Sequence, residues 1–129
     1  MILVDTSAWV EFLRDTGSPT CREVDALLDG EMATCDPVVM EVLAGARDEA
    51  HLRRLRGLLG RAALLRADSE DFIAAAALFR ECRIRGETVR RLVDCLIAAI
   101  AIRHDVPLLH HDADFDVLAR HTGLVCHLH

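Results

Sequence analysis

Acidic side chains set in apolar segments are the residues of this sequence that could do chemistry together. Asp5 follows the apolar run Ile2-Leu3-Val4, and four further acids lie far downstream in comparable surroundings: Glu41, Asp94, Asp112 and Asp114. A carboxylate in an apolar environment is destabilised unless something compensates its charge. Several such acids that converged on one point would suit a hard divalent cation, which prefers oxygen ligands. A site of this kind predicts metal-dependent hydrolysis, above all of phosphodiesters.

Asp94 has the most apolar surroundings of these acids. It is the one charged residue between Leu92 and Ile102, so it would lie in a helix that is apolar nearly all round and therefore buried. The positive end of that helix would stabilise the carboxylate in part. For this residue taken alone, a metal ligand and a buried ion pair with Arg90 or Arg91 are equally good interpretations.

The remaining acids also have two interpretations each. Glu41 could face solvent on a short amphipathic helix, and Asp112 or Asp114 could cap a helix whose first turn contains Asp116. The joint distribution is more specific, because the acids follow two different strands and lie in two different helices. A solvated helix face does not scatter its carboxylates in this way, so the joint pattern favours one shared site.

Short apolar runs typical of strands alternate with helical patterns along the chain. We expect strands at 2–4, 31–35, 62–65, 107–110 and 124–127, and helices at about 6–13, 19–29, 38–44, 48–59, 69–85, 89–103 and 114–120. This alternation predicts an α/β domain with a mostly parallel sheet of four or five strands and helices on both faces. Ligands of such sheets bind outside the carboxyl ends of the strands. Asp5 and Asp112 each follow a strand, so they share one crevice if those strands are neighbours.

Length and composition indicate one folded domain, residues 1–129, with 52% hydrophobic residues. No apolar run approaches the roughly 20 residues of a membrane span. The start of the chain lacks the basic region of a signal peptide, so we expect a cytoplasmic protein. The five cysteines are odd in number and form no C-x-x-C pair, which argues against a disulfide framework or a zinc ribbon.

The net charge of −6 is unusual for a protein that binds nucleic acid, but the charges are unevenly distributed. Acids dominate residues 1–46 and 92–129, whereas eleven of the fifteen basic residues lie within 47–91. Every one of the fifteen is an arginine, a side chain suited to bidentate phosphate contact. An acidic region that holds cations beside an arginine-rich region that holds phosphates is consistent with a nuclease. It is equally consistent with a domain that has solvated basic helices.

Four motifs distributed over the whole chain carry a family resemblance. They read ILVDTSAW at 2–9, PVVMEVLAG at 37–45, GETVR followed by DCLIAA at 86–99, and HDADF at 111–115. Together these motifs resemble those of the PIN-domain ribonucleases, specifically the VapC-type toxins of bacterial toxin–antitoxin pairs. His111 departs from the pattern, because many relatives carry an arginine at that position.

The resemblance implies a PIN-like three-layer α/β/α fold and a metal-dependent endoribonuclease that hydrolyses RNA. It implies an acidic quartet that binds Mg²⁺ or Mn²⁺ and consists of Asp5, Glu41, Asp94 and Asp112. Asp114 would be an additional or alternative ligand. Thr6 or Ser7 would support Asp5 through a hydroxyl hydrogen bond. The resemblance also implies a cognate antitoxin as partner and a homodimer.

The mechanism expected for such a site is hydrolysis by water that the ion has made more acidic, with Glu41 or Asp94 as proton acceptor. Arginines within 47–66 or 80–91, including Arg90, would hold the RNA backbone.

Four other functions compete with this interpretation. A PIN nuclease could process RNA without a toxin role, and a non-catalytic PIN-like interaction module could retain the acids by descent. A phosphoacceptor domain would need a helper lysine, which this chain lacks. A zinc site could use the histidines that crowd the last twenty residues, which are His110, His111, His121, His127 and His129.

Overall fold

A computed structural model describes residues 1–128, and its elements alternate as the sequence predicts. The four strands β1–β4 are Ile2–Val4, Met32–Cys35, Ala63–Leu65 and Leu108–Leu109. The seven helices α1–α7 are Thr6–Leu13, Pro19–Leu27, Asp36–Ala44, Glu49–Leu59, Ser69–Ile84, Leu92–Arg103 and Ala113–His121. His129, one of the histidines considered for a zinc site, lies outside the described residues.

The strands form one parallel sheet in the order β3-β2-β1-β4 within a three-layer α/β/α fold. β1 pairs with β4 through Leu3 opposite Leu108 and Val4 opposite Leu109. The chain adds β2 and β3 on one side of β1 and returns to add β4 on the other. Ligands of open parallel sheets bind where the strand order reverses in this way. The condition for Asp5 and Asp112 to share a crevice, that their strands are neighbours, is therefore met.

The predicted fifth strand is reduced to a single bridge. Cys126 pairs with Leu108 in the parallel sense, and the Leu108 and His127 amides complete this contact with hydrogen bonds of 2.9 and 2.8 Å. β4 is only two residues long and therefore offers little backbone for a neighbour to pair with. The sheet thus has the lower of the two predicted strand numbers.

The predicted helix start at residue 89 is wrong, because α6 begins at Leu92. The backbone N–H of Arg90 donates to Asp114 Oδ2 at 3.2 Å, and Arg91 is extended with φ −128° and ψ 127°. Residues 89–91 are thus tied to the start of α7 instead of continuing a helix. Arg90 and Arg91 consequently lie in the connection between α5 and α6, next to the acids.

The core lies between the sheet and the helices. The side chains of β1 and β4 are fully buried at Leu3, Val4, Leu108 and Leu109. α6 is apolar nearly all round and buries most of its length against α5 and α7. All five cysteines are free thiols, and four of them are buried. Within residues 1–128 no helix is both long and apolar enough to cross a membrane.

Candidate metal centre

Asp5 is held at the junction of β1 and α1. Its side chain is fully buried, and Oδ2 accepts hydrogen bonds from the Ser7 amide at 2.9 Å and the Ser7 hydroxyl at 2.6 Å. The pKa of Asp5 is raised to about 6, mainly by burial. The hydrogen bonds from Ser7 lower this pKa, and the charge of Glu41 raises it. Oδ1 is buried and accepts no hydrogen bond from the described residues.

Asp94 lies in the first turn of α6 and is also fully buried. Arg91 Nη2 donates to its Oδ1 at 3.0 Å, so the ion pair considered from the sequence does form. Burial raises the pKa of Asp94, and the neighbouring Asp114 carboxyl raises it further. Oδ2 receives no hydrogen bond from any donor in the described part of the chain. Arg91 therefore satisfies only one side of this carboxylate.

Asp112 and Asp114 begin α7. Asp112 is the N-cap, with its side chain accepting from the Asp114 amide at 2.9 Å, as the capping interpretation predicts. Arg90 joins the two carboxylates, with 2.8 Å from Nη2 to Asp112 and 3.0 Å from Nε to Asp114. Burial acts to raise the pKa of Asp114, but the hydrogen bonds from Arg90 and Asp94 outweigh it and lower this pKa.

Three of these acids converge most closely. Among residues 1–128, one group of ligand atoms lies within 4.8 Å of one another, and it belongs to Asp94, Asp112 and Asp114. Asp5 is not in this group, although its charge raises the pKa of Asp94. Glu41 is not in it either, but Arg91 bridges Glu41 at 3.4 Å and Asp94 at 3.0 Å. The fold therefore brings all five predicted acids to one edge of the sheet.

The two hydroxyls that follow Asp5 contact different acids. Ser7 bonds to Asp5, and its own oxygen accepts the His111 amide at 2.8 Å, which joins the β1–α1 junction to the segment after β4. Thr6 instead donates to Glu41 at 2.8 Å. Of the two residues predicted to support Asp5, Ser7 contacts it and Thr6 orients Glu41.

The sequence predicts Arg91 as an ion-pair partner of Asp94 or as one of the arginines that hold RNA, whereas its guanidinium also reaches Glu41 and comes within 4.0 Å of Asp112. A cleft of about 370 Å³ beside Glu41 is a second feature that was missed. Its lining combines apolar side chains such as Val10 with Arg14, Arg47 and His51. Neither feature can be recognised in a continuous stretch of sequence. Arg91 contacts acids from distant segments, and the cleft is lined by residues of three different helices.

The histidines contact separate carboxylates. His111 lies 3.6 Å from Glu11, His121 lies 2.8 Å from Glu87, and His127 lies 3.0 Å from Glu23. The close group of possible ligands in the described residues contains carboxylates alone. An all-oxygen set suits Mg²⁺ or Mn²⁺, whereas zinc sites favour nitrogen and sulfur ligands.

The residues present fit a divalent cation. Asp5 Oδ1 and Asp94 Oδ2 are buried carboxylate oxygens without a donor in the described chain, a costly arrangement that a cation would relieve. Ligand atoms of Asp94, Asp112 and Asp114 lie within 4.8 Å of one another, so three acids meet at one point. A metal ion at this point would offset the charges of the ionised carboxylates.

Comparisons with known proteins agree with the fold and the motifs. The model of the PIN domain matches residues 2–121. Ribonuclease VapC11 of Mycobacterium tuberculosis is 52% identical over 128 residues, with 96% of each chain covered. Ribonuclease VapC51 of the same organism is 32% identical over 126 residues, with 96% of this chain and 89% of that protein covered.

A solved structure has the same fold. The crystal structure of VapBC2 from Rickettsia felis, bound to a DNA fragment from its promoter, aligns with a TM-score of 0.78 over 98% of each chain, at 19% identity. At that identity the likeness concerns the fold alone, whereas the domain match and the 52% identical relative establish kinship. The chain belongs to the PIN-domain family and, within it, to the VapC type.

Proposed function

We propose that this protein is an endoribonuclease that depends on Mg²⁺ or Mn²⁺ and is the toxin of a toxin–antitoxin pair. The observation that carries the proposal is the convergence of five acids where two buried carboxylate oxygens lack a donor. The names of the relatives, which are ribonucleases, support the same reaction. A bound divalent cation would acidify water and offset negative charge on a phosphodiester.

The acids would have separate tasks in this reaction. The ion would be held by Asp5, Asp94, Asp112 and Asp114. Glu41 lies outside the closest group and is oriented by Thr6 at 2.8 Å, so it is better placed than Asp94 to accept a proton from water. Asp94 would hold the ion in its ionised form, because carboxylates ligate metals without their proton.

RNA would approach from the exposed side of the acids. The Arg90 side chain is 69% exposed while it contacts Asp112 and Asp114, so part of its guanidinium can reach a phosphate. The cleft beside Glu41 offers two further arginines, Arg14 and Arg47, next to apolar walls. Phosphate contacts of this kind position a strand without reading its sequence.

Cleavage of RNA by the purified protein tests the proposal. We expect cleavage with Mg²⁺ or Mn²⁺ and none with excess EDTA. Asp5→Asn and Asp94→Asn should each reduce the rate at least about 100-fold, since each removes a carboxylate from the site. Asp105→Asn is a matched control, because Asp105 is exposed and precedes β4 at the opposite end of the sheet. Full activity of Asp5→Asn would contradict the role given to that residue.

Growth of bacteria that express the protein separates the alternatives. A toxin should arrest growth, Asp5→Asn should not, and a co-expressed antitoxin should restore growth. A processing nuclease would cleave RNA in the test tube without arresting growth, and a non-catalytic interaction module would do neither.

We further propose a homodimer of single PIN-like domains, residues 1–129, located in the cytoplasm with its RNA substrate. Exposed apolar side chains on α3 and α5, such as Met40 at 61% and Phe72 at 58%, support an interface of the protein. Light scattering would test the dimer. One cooperative unfolding transition is expected for one domain.

A further inference from the structure

Arg91 occupies the centre of the acidic site. Its Nη1 lies 3.4 Å from Glu41 Oε2, and its Nη2 lies 3.0 Å from Asp94 Oδ1 and 4.0 Å from Asp112 Oδ2. One guanidinium thus contacts acids that come from three separate parts of the chain. Arg90 differs from it, because Arg90 contacts only the pair at the start of α7.

The contacts of Arg91 compensate the acids only in part. Asp94 Oδ2 and Asp5 Oδ1 remain buried without a donor in the described chain, while the guanidinium takes Asp94 Oδ1 and Glu41. An ion held by Asp94, Asp112 and Asp114 would lie close to this guanidinium, and the two positive charges would repel each other. Arg91 and the ion therefore cannot both interact fully with the same carboxylates.

The side chain of Arg91 can leave the site. It is 50% exposed, and its backbone lies outside α6 in extended conformation, so solvent is accessible to the guanidinium without a rearrangement of the helix. A long, flexible side chain at the surface loses little when an ion pair is exchanged for water. Asp94 is fully buried and has no such freedom.

We infer that Arg91 is an internal counter-cation that competes with the metal ion for Asp94 and Glu41. Without metal it offsets the repulsion among the acids and keeps the site folded. When the ion binds, Arg91 leaves Asp94, and its charge then faces the solvent from which RNA phosphates arrive. The inference rests on the proposed metal dependence and adds that the affinity for the ion is set in part by an arginine of the same chain.

Titration with Mn²⁺ alone, by calorimetry and without RNA, tests the inference. We expect Arg91→Gln to bind Mn²⁺ about tenfold more tightly than wild type, because a competing charge is removed. Without metal, the variant should melt at a lower temperature, and Mn²⁺ should raise its melting temperature by more than it raises that of wild type. Arg85→Gln is the matched control, because Arg85 pairs with Glu81 at 2.7 Å and contacts none of the five acids. This control should leave Mn²⁺ affinity unchanged.

Arg91→Gln removes packing contacts as well as the charge, so a variant that preserves the charge is needed to separate the two effects. Arg91→Lys keeps the competing charge, so its Mn²⁺ affinity should stay within about threefold of wild type. Equal Mn²⁺ affinity in wild type and Arg91→Gln would overturn the competition, and so would an Arg91→Lys protein that behaves like Arg91→Gln. Neither result would affect the proposed nuclease. Absence of Mn²⁺ binding by wild type would overturn the metal site and the inference together.

Discussion

At the scale of single residues, the site combines acids whose charge the protein disfavours. Asp5 and Asp94 are both fully buried, and burial raises the pKa of each. Asp5 follows a buried strand and cannot turn to solvent, because its oxygen is held by Ser7. The site is therefore less stable without a cation than apolar residues at the same positions would make it. If the acids hold a cation as proposed, this lower stability accompanies a preformed set of oxygen ligands.

The raised pKa of Asp5 predicts how the free energy of unfolding depends on pH in the absence of metal. The folded value of about 6 exceeds the ordinary value of 3.8, so between these values the folded protein holds a proton that the unfolded chain has lost. The stability that this proton provides is complete below the unfolded pKa and is lost as pH rises through the folded one. Asp5→Asn, which cannot titrate, should avoid this loss. The difference in free energy of unfolding, Asp5→Asn minus wild type, should therefore be about 1 to 2 kcal/mol larger at pH 7.5 than at pH 5.

Urea denaturation in EDTA at both pH values measures this difference. Subtracting the two proteins removes the contribution of the histidines, which both share. Mn²⁺ should stabilise wild type and leave Asp5→Asn nearly unaffected. A difference between the two proteins that does not change with pH would contradict burial as the cause of the raised pKa.

At the scale of elements, the connection between α5 and α6 determines where the arginines lie. Glu87 ties this connection to α7, through Arg120 at 2.6 and 3.0 Å and His121 at 2.8 Å. The hydrogen bonds from Arg120 and then His121 lower the pKa of Glu87 to about 2, so it stays charged at any physiological pH. Four residues later in the chain, Arg91 reaches the acids. The arginines are thus positioned by an ion-pair anchor and not by helical geometry.

Gly86 begins this connection in a conformation that other residues rarely adopt. Its φ is +89°, and a Cβ at this position would meet no atom within 4 Å, so the cost of a side chain would come from the backbone alone. We expect Gly86→Ala to lower the free energy of unfolding by about 1 to 2 kcal/mol. Chemical denaturation would measure it.

Gly57→Ala is the matched substitution on α4. A Cβ there also meets nothing within 4 Å, but the residue lies inside a helix. Alanine should therefore stabilise the protein by about 0.5 to 1 kcal/mol. Equal effects of the two substitutions would show that the conformation of Gly86 imposes no constraint.

At the scale of the whole molecule, both the protein and its proposed RNA substrate are acidic. The net charge is −6, yet Arg14 and Arg47 line the cleft beside Glu41. Local arginines can hold phosphates although the protein as a whole repels them, and salt then controls the affinity.

Binding of RNA to the inactive Asp5→Asn protein tests this arrangement. Arg47→Ala in that background should weaken binding more at low salt than at high salt. It should also reduce the slope of log affinity against log salt by roughly one contact. Arg61→Ala is the control, because Arg61 lies just before β3, at the opposite end of the parallel strands. Equal losses in the two variants would contradict a phosphate path through the cleft.

Much of the local structure could be predicted from the chain alone, because it depends on neighbours in sequence. Asp68 and Ser18 cap helices where cap signals occur, and Gly86 ends α5. The alternation of apolar runs and helical patterns was enough for a parallel α/β sheet. The helix start at 89 was wrong because a distant carboxylate, Asp114, takes the Arg90 amide.

The features of the site can also be divided into those that follow from local sequence and those that depend on tertiary packing. That Asp5 and Asp112 follow strands is a property of local sequence, and parallel strands place such residues at one edge. That Asp94 lies beside Asp114, and that Arg91 contacts Glu41 across 50 positions of sequence, depends on how α3, α6 and α7 pack. Periodicity and cap signals act over a few residues, whereas the distance between two charges depends on every element that lies between them.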